Sequence, residues 1–142
     1  MKASARNQFT GIVSEVRIGS VNNEVLIRLK GGETIVATIT KESAETLGIN
    51  IGKDVIALVK APQIIIVSDF GGYRVSARNQ LAGTVTQVKP GAVNAEVIIA
   101  LKGGESVAAT VTNDSVETLG LSKGQAVTAI FKAGAVILAV AG

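Results

Sequence analysis

Arg6, Asn7, Thr40, Ser43 and Lys60 return as Arg78, Asn79, Thr112, Ser115 and Lys132, each 72 positions further along the chain. Packing alone does not require these polar types at both copies, so they are the first candidates for chemistry. Arg and Lys are fixed positive charges, and Ser and Thr hydroxyls donate hydrogen bonds without bulk. Together they describe a pocket for a compact oxyanion. Thr40-x-x-Ser43 also opens a segment with helix-capping character, where first-turn amides and the helix dipole favour negative charge. Each residue has an ordinary structural reading too: Thr40 as a simple N-cap, Arg6 and Arg78 as surface ion-pair partners, Asn7 and Asn79 as turn formers at a strand entry.

The elements that must position them repeat as well. Ser4-Ala5-Arg6-Asn7-Gln8 recurs as Ser76-Ala77-Arg78-Asn79-Gln80, and the offset then runs on without a gap, dividing the chain into units 1–70 and 71–142. In the first unit, β-rich runs at 8–17, 24–30, 33–39, 54–60 and 64–67 alternate with glycine-containing turns, which reads as five strands. Gly31-Gly32 and Gly103-Gly104 predict two-residue hairpin loops with positive φ. Thr40 to Gly48 and Thr112 to Gly120 each have a capping residue in front and a glycine behind, predicting one short helix after the third strand. The fold class expected is mainly β, with two tandem OB-like five-stranded barrels, each carrying one short helix. Val55-Ile56-Ala57-Leu58-Val59 is apolar at both parities, so a second greasy face needs the sister unit or another chain against it. An oligomer is expected, and the short joining segment 68–75 predicts close packing of the two units.

The 142 residues contain no Cys and no His, which removes disulfides, thiolates, most transition-metal sites and an unperturbed base near neutral pH. Glu42, Glu45, Asp114 and Glu117 complement helix starts, and Asp54 becomes Ala126 in the second copy, so no catalytic pair emerges. Gly52-Lys53-Asp54 lacks the rest of a phosphate-binding loop. The chain reads as a binder and not an enzyme. No run of about 18 apolar residues is present to span a membrane, and a soluble cytoplasmic protein is expected. A formal net charge of +3, dispersed along the chain, and only four aromatics argue against a nucleic-acid backbone as partner. The loops Ser20-Val21-Asn22 and Ala92-Val93-Asn94 are candidates for a second anion site, should their backbone amides converge.

The repeated Ser-Ala-Arg-Asn-Gln, Gly11 and Gly83, the Val-Asn-x-Glu-Val loop, Thr-x-x-Ser before the helix and the late Lys-Ala resemble the molybdate-binding Mop domain. Two in tandem resemble the molbindins. The resemblance implies an OB-like barrel that holds molybdate, and tungstate too, as a non-covalent ligand for storage and homeostasis. It implies a homotrimer for a fused pair. It also implies a main pocket built from Ser4, Arg6, Asn7 and Lys60, or Ser76, Arg78, Asn79 and Lys132, facing Thr40 and Ser43, or Thr112 and Ser115, of another domain. The readings set beside it are an OB-like nucleic-acid-binding module and a purely structural oligomer.

Overall fold

The computed structural model describes all 142 residues. The first repeat contributes β1 (Asn7–Ile18), β2 (Asn22–Leu29), β3 (Thr34–Thr40), α1 (Lys41–Thr46), β4 (Asp54–Val59) and β5 (Ile65–Val67). The second contributes β6 (Asn79–Pro90), β7 (Asn94–Leu101), β8 (Ser106–Thr112), α2 (Asn113–Leu119), β9 (Ala126–Phe131) and β10 (Ile137–Ala139). A single 3₁₀ turn, Ala61–Gln63 or Ala133–Ala135, precedes each last strand.

Two five-stranded antiparallel sheets result, and they exchange their ends: the orders are β10-β4-β1-β2-β3 and β5-β9-β6-β7-β8. Ile137, Leu138 and Ala139 pair with Leu58, Ala57 and Ile56, while Ile65, Ile66 and Val67 pair with Ile130, Ala129 and Thr128. Each repeat therefore supplies the fifth strand of the other repeat's barrel. The short stretch between Val59 and Ile65, taken up by the 3₁₀ turn, directs β5 outward to the sister repeat's β9. A one-residue bulge between Val13 and Glu15, repeated between Val85 and Gln87, bends the long strands β1 and β6.

The interior residues alternate along the strands, as in Phe9, Gly11 and Val13 or Val25, Ile27 and Leu29. The buried apolar side chains of both repeats join into one cluster, from Phe9 and Val13 through Val97 and Ile99 to Leu138. Units of about 70 residues are near the lower limit for a self-sufficient core, and here neither core stands alone. The doubly apolar strand is explained in the same way: Val55, Ala57 and Val59 face the barrel interior, and Leu58 on the opposite parity is also buried within the single chain.

The hairpin glycines differ from expectation. Leu29 N–H donates to Glu33 O at 2.8 Å and Gly32 N–H to Leu29 O at 3.0 Å, so Lys30 to Gly32 form a three-residue loop. Only Gly32 and Gly104 need positive φ, at 98° and 101°. Gly31 and Gly103 are required by close approach: a Cβ on Gly31 would lie 2.5 Å from the Gly103 Cα and 2.4 Å from a Glu105 carboxylate oxygen. Glu105 accepts from Gly31 N–H and Glu33 from Gly103 N–H, each at 3.0 Å, and pins the two hairpins back to back.

The exchange makes a sharp prediction. Leu138 is 7 % exposed and belongs to the shared cluster although it lies four residues from the end of the described chain. Leu138→Ala should cost about 3 kcal/mol and shift a single cooperative urea transition of the whole chain. An unchanged midpoint, or a transition confined to half the signal, would contradict the exchanged strand.

Candidate functional site

The hydroxyl pairs are built by helix capping. Thr40 is extended at φ −67° and ψ 149°, so its Oγ1 reaches forward to accept from Ser43 N–H at 3.0 Å and donates to Ser43 Oγ at 2.8 Å. Thr112 and Ser115 repeat this at 3.1 Å and 2.8 Å. Because each serine oxygen accepts from the threonine, its own hydroxyl proton stays available to a ligand. The first-turn amides are less available than expected. Lys41 N–H donates to Val21 O and Asn113 N–H to Val93 O, both at 3.0 Å. The donors offered here are chiefly hydroxyls.

Asn7 and Asn79 are almost fully buried, at 2 % and 1 % exposure, and their side chains reach across the molecule. Asn7 Nδ2 donates to Ala108 O at 2.8 Å and its Oδ1 accepts from Ala108 N–H at 2.7 Å. Asn79 makes the same pair with Val36, both bonds at 2.8 Å. Ala108 and Val36 lie on β8 and β3, the outermost strands of their sheets. The asparagine amide thus stands in for one peptide of a missing neighbouring strand and closes part of an edge. The turn-forming reading gives way to this one: the side chain bonds through both its Nδ2 and its Oδ1, and locks one repeat's first strand to the other's third.

That lock carries the adjacent arginine with it. Arg6 Nη2 donates to Glu96 Oε1 at 3.0 Å, and its Nη1 lies 2.5 Å from Oε2. Arg78 pairs with Glu24 in the mirror arrangement, and Arg17 also reaches Glu24 at 3.0 Å. Glu15 first, by its hydrogen bond and its charge, and Glu24 after it, raise the Arg17 pKa above its ordinary value. The Glu24 and Glu96 contacts were legible only as a pattern: both glutamates recur at the same offset as both arginines. Lys60 and Lys132 form no ion pair and are exposed.

Ser76, Arg78 and Lys132 line one cavity of about 490 Å³, so three of the predicted residues meet. Thr112 and Ser115 line another of about 410 Å³ together with Pro62 and Ile64, two and four residues beyond Lys60. Neither Arg6 nor Lys60 lines the cavity of Thr112 and Ser115, and neither Thr40 nor Ser43 lines that of Ser76, Arg78 and Lys132, so the cations and the hydroxyls do not share a cavity within the chain. Ser4 is exposed at the start of the chain. In the second-anion loops Val21 and Val93 are 73 % and 71 % exposed, and their carbonyls, not their amides, meet the helix starts.

The model for the TOBE domain matches residues 3–66 and again 75–138. The chain belongs to the TOBE family. Among solved structures, this TOBE pair is similar to the cytoplasmic molybdate-binding protein ModG in its molybdate-bound form, with 50 % identity and a TM-score of 0.96 over 99 % of this chain and 100 % of that one. Among curated proteins it is 50 % identical over its whole length to the molybdenum transport protein ModE of Azotobacter vinelandii. It is 40 % identical over 98 % of its length to the molybdenum-pterin-binding protein MopA of Rhodobacter capsulatus. The chain spans about half, 52 %, of the length of these two curated relatives. The mainly β, OB-like tandem architecture stands as read from the sequence, with the end strands exchanged.

The asparagine locks in this TOBE pair give a direct test. Asn7→Ala or Asn79→Ala strands one buried N–H and one buried carbonyl, and each should lower stability by about 2–4 kcal/mol, read as a shift in urea midpoint. A shift below about 1 kcal/mol would place these residues among ordinary surface contacts.

Proposed function

We propose that the chain binds molybdate, and tungstate with it, as a non-covalent store for the oxyanion. The observation that carries this reading is the match, over the full length of both chains, to molybdate-bound ModG. The chemistry of the junction supports it. Unpaired lysines, arginines held at the same face and serine hydroxyls with free protons suit a compact tetrahedral dianion, and need no redox or covalent step.

The proposed pockets each join two repeats. One takes Ser4, Arg6 and Lys60 of unit 1–70 with Thr112 and Ser115 of unit 71–142. The other takes Ser76, Arg78 and Lys132 with Thr40 and Ser43. Asn7 and Asn79 serve both as the clamps that set the arginines in place. The exposed Ile12, Ile18, Ile51 and Ile137 are 50–73 % accessible, and apolar surface of that kind supports self-association, for which a trimer is the form proposed. The same scheme places the protein in the cytoplasm, with no catalytic activity. No helix here is long and apolar enough to cross a membrane.

Equilibrium dialysis against molybdate, with molybdenum counted by elemental analysis, tests the proposal. Uptake should saturate and resist excess sulfate. Arg6→Ala/Arg78→Ala should weaken it about tenfold to a hundredfold, the loss of a charge-assisted hydrogen bond per site. No uptake by the folded protein sinks the storage reading.

A further inference from the structure

The arginines proposed to meet the oxyanion are already engaged by carboxylates of the opposite repeat. Arg6 grips both oxygens of Glu96, and Arg78 pairs with Glu24. These contacts cross the junction between repeats, at sequence separations of 90 and 54, and both copies make them. The glutamate side chains are largely covered, with 17 % exposure for Glu96 and 21 % for Glu24.

Their position relative to the hydroxyls follows from strand register. Glu96 pairs with Thr110 and Asn94 with Thr112, so Glu96, Asn94, Thr110 and Thr112 share one face of the β7–β8 ribbon. Asn94, Thr110, Thr112 and Ser115 line the cavity that faces Pro62. On the first repeat, Glu24 pairs with Thr38 and Asn22 with Thr40 in the same way. Each carboxylate therefore stands on the same ribbon face as the threonine hydroxyls.

From this placement we infer that Glu96 and Glu24 act as built-in competitors that set the affinity of the oxyanion sites. The carboxylate occupies the guanidinium in this structure. A dianion entering the pocket takes over Arg6 or Arg78 and leaves Glu96 or Glu24 without that partner, facing like charge. Each glutamate thereby weakens binding and hastens release, a useful trait in a store that has to give up its cargo. Lys89, 3.9 Å from Glu96, and Arg17, 3.0 Å from Glu24, are the cations placed to accept the displaced carboxylates. The opposite assignment, in which the glutamate aims the arginine at the ligand, predicts the opposite sign.

The inference rests on the oxyanion reading, and titration calorimetry with sodium molybdate separates the two. Glu96→Gln keeps shape and hydrogen-bonding capacity and removes the charge. It should tighten the sites that use Arg6 about three- to tenfold and slow release correspondingly, leaving the Arg78 sites unchanged. Glu24→Gln should do the reverse, the double variant should tighten all sites, and Glu96→Asp should return towards the parent affinity. Unchanged or weaker binding by the glutamine variants, with parent-like melting, overturns the competitor role while leaving the oxyanion reading intact. Absence of heat with the parent protein removes both. Independently of any variant, the Glu24 and Glu96 carboxyl carbon resonances of the parent should move when molybdate is added. Resonances that stay fixed at saturation would also overturn the exchange.

Discussion

Everything distinctive in this molecule follows from the need to complete small sheets that cannot close themselves. A strand at a sheet edge leaves N–H and carbonyl groups unpaired, and a barrel of about 70 residues has little surplus core to hide them. The duplication answers this by exchange. β5 completes the second barrel, β10 completes the first, and Asn7 and Asn79 cap the far edges at Ala108 and Val36 with side-chain amides in place of backbone. The hydrophobic interior becomes continuous across both repeats as a result.

The same exchange decides what the polar residues can do. The clamp at Asn7 lies next to Arg6 in sequence, and the 3₁₀ turn of β5's connection begins just after Lys60. Locking Asn7 to β8 and packing that turn against β8 bring Arg6 to Glu96 on β7 and Pro62 to the cavity lined by Thr112 and Ser115. The anion pocket proposed above would have its charges on one repeat and its neutral donors on the other. Binding there would bridge the junction instead of decorating one barrel.

Much of this was legible in residue types and spacing. The strands followed from apolar alternation between glycine turns, and the short helices from Thr in front and Gly behind, because those signals are local. The exchange was not, since a strand such as Ile64-Ile65-Ile66-Val67 carries no mark of which of two near-identical barrels it will join. Gly31 illustrates a second limit: its glycine is demanded by the opposite hairpin 72 residues away and not by its own turn. Asn7 looked like a turn former for the same reason, as its partner Ala108 is 101 residues distant. Glu24 and Glu96 were visible as repeats, yet nothing local distinguished a strand-face carboxylate from one that holds an arginine across the junction.

Charge balance at the junction bears on what can be held there. Of the groups proposed to meet the ligand, one arginine and one lysine against one glutamate leave a single positive charge, with Lys89 or Arg17 behind the glutamate; the front of the pocket is short of neutralising a dianion. The difference has to come from neutral donors, and these are the serine hydroxyls whose geometry is fixed by 2.8 Å bonds to the capping threonines. Fixed neutral donors respond steeply to ligand size and shape, because a hydrogen bond weakens once its distance or angle departs from the ordinary range. Long-range charge would favour any dianion alike. In the proposed pockets, selection among tetrahedral oxyanions would therefore fall to Ser43 and Ser115 and their caps, and the arginine–glutamate pairs would govern how strongly any of them is retained.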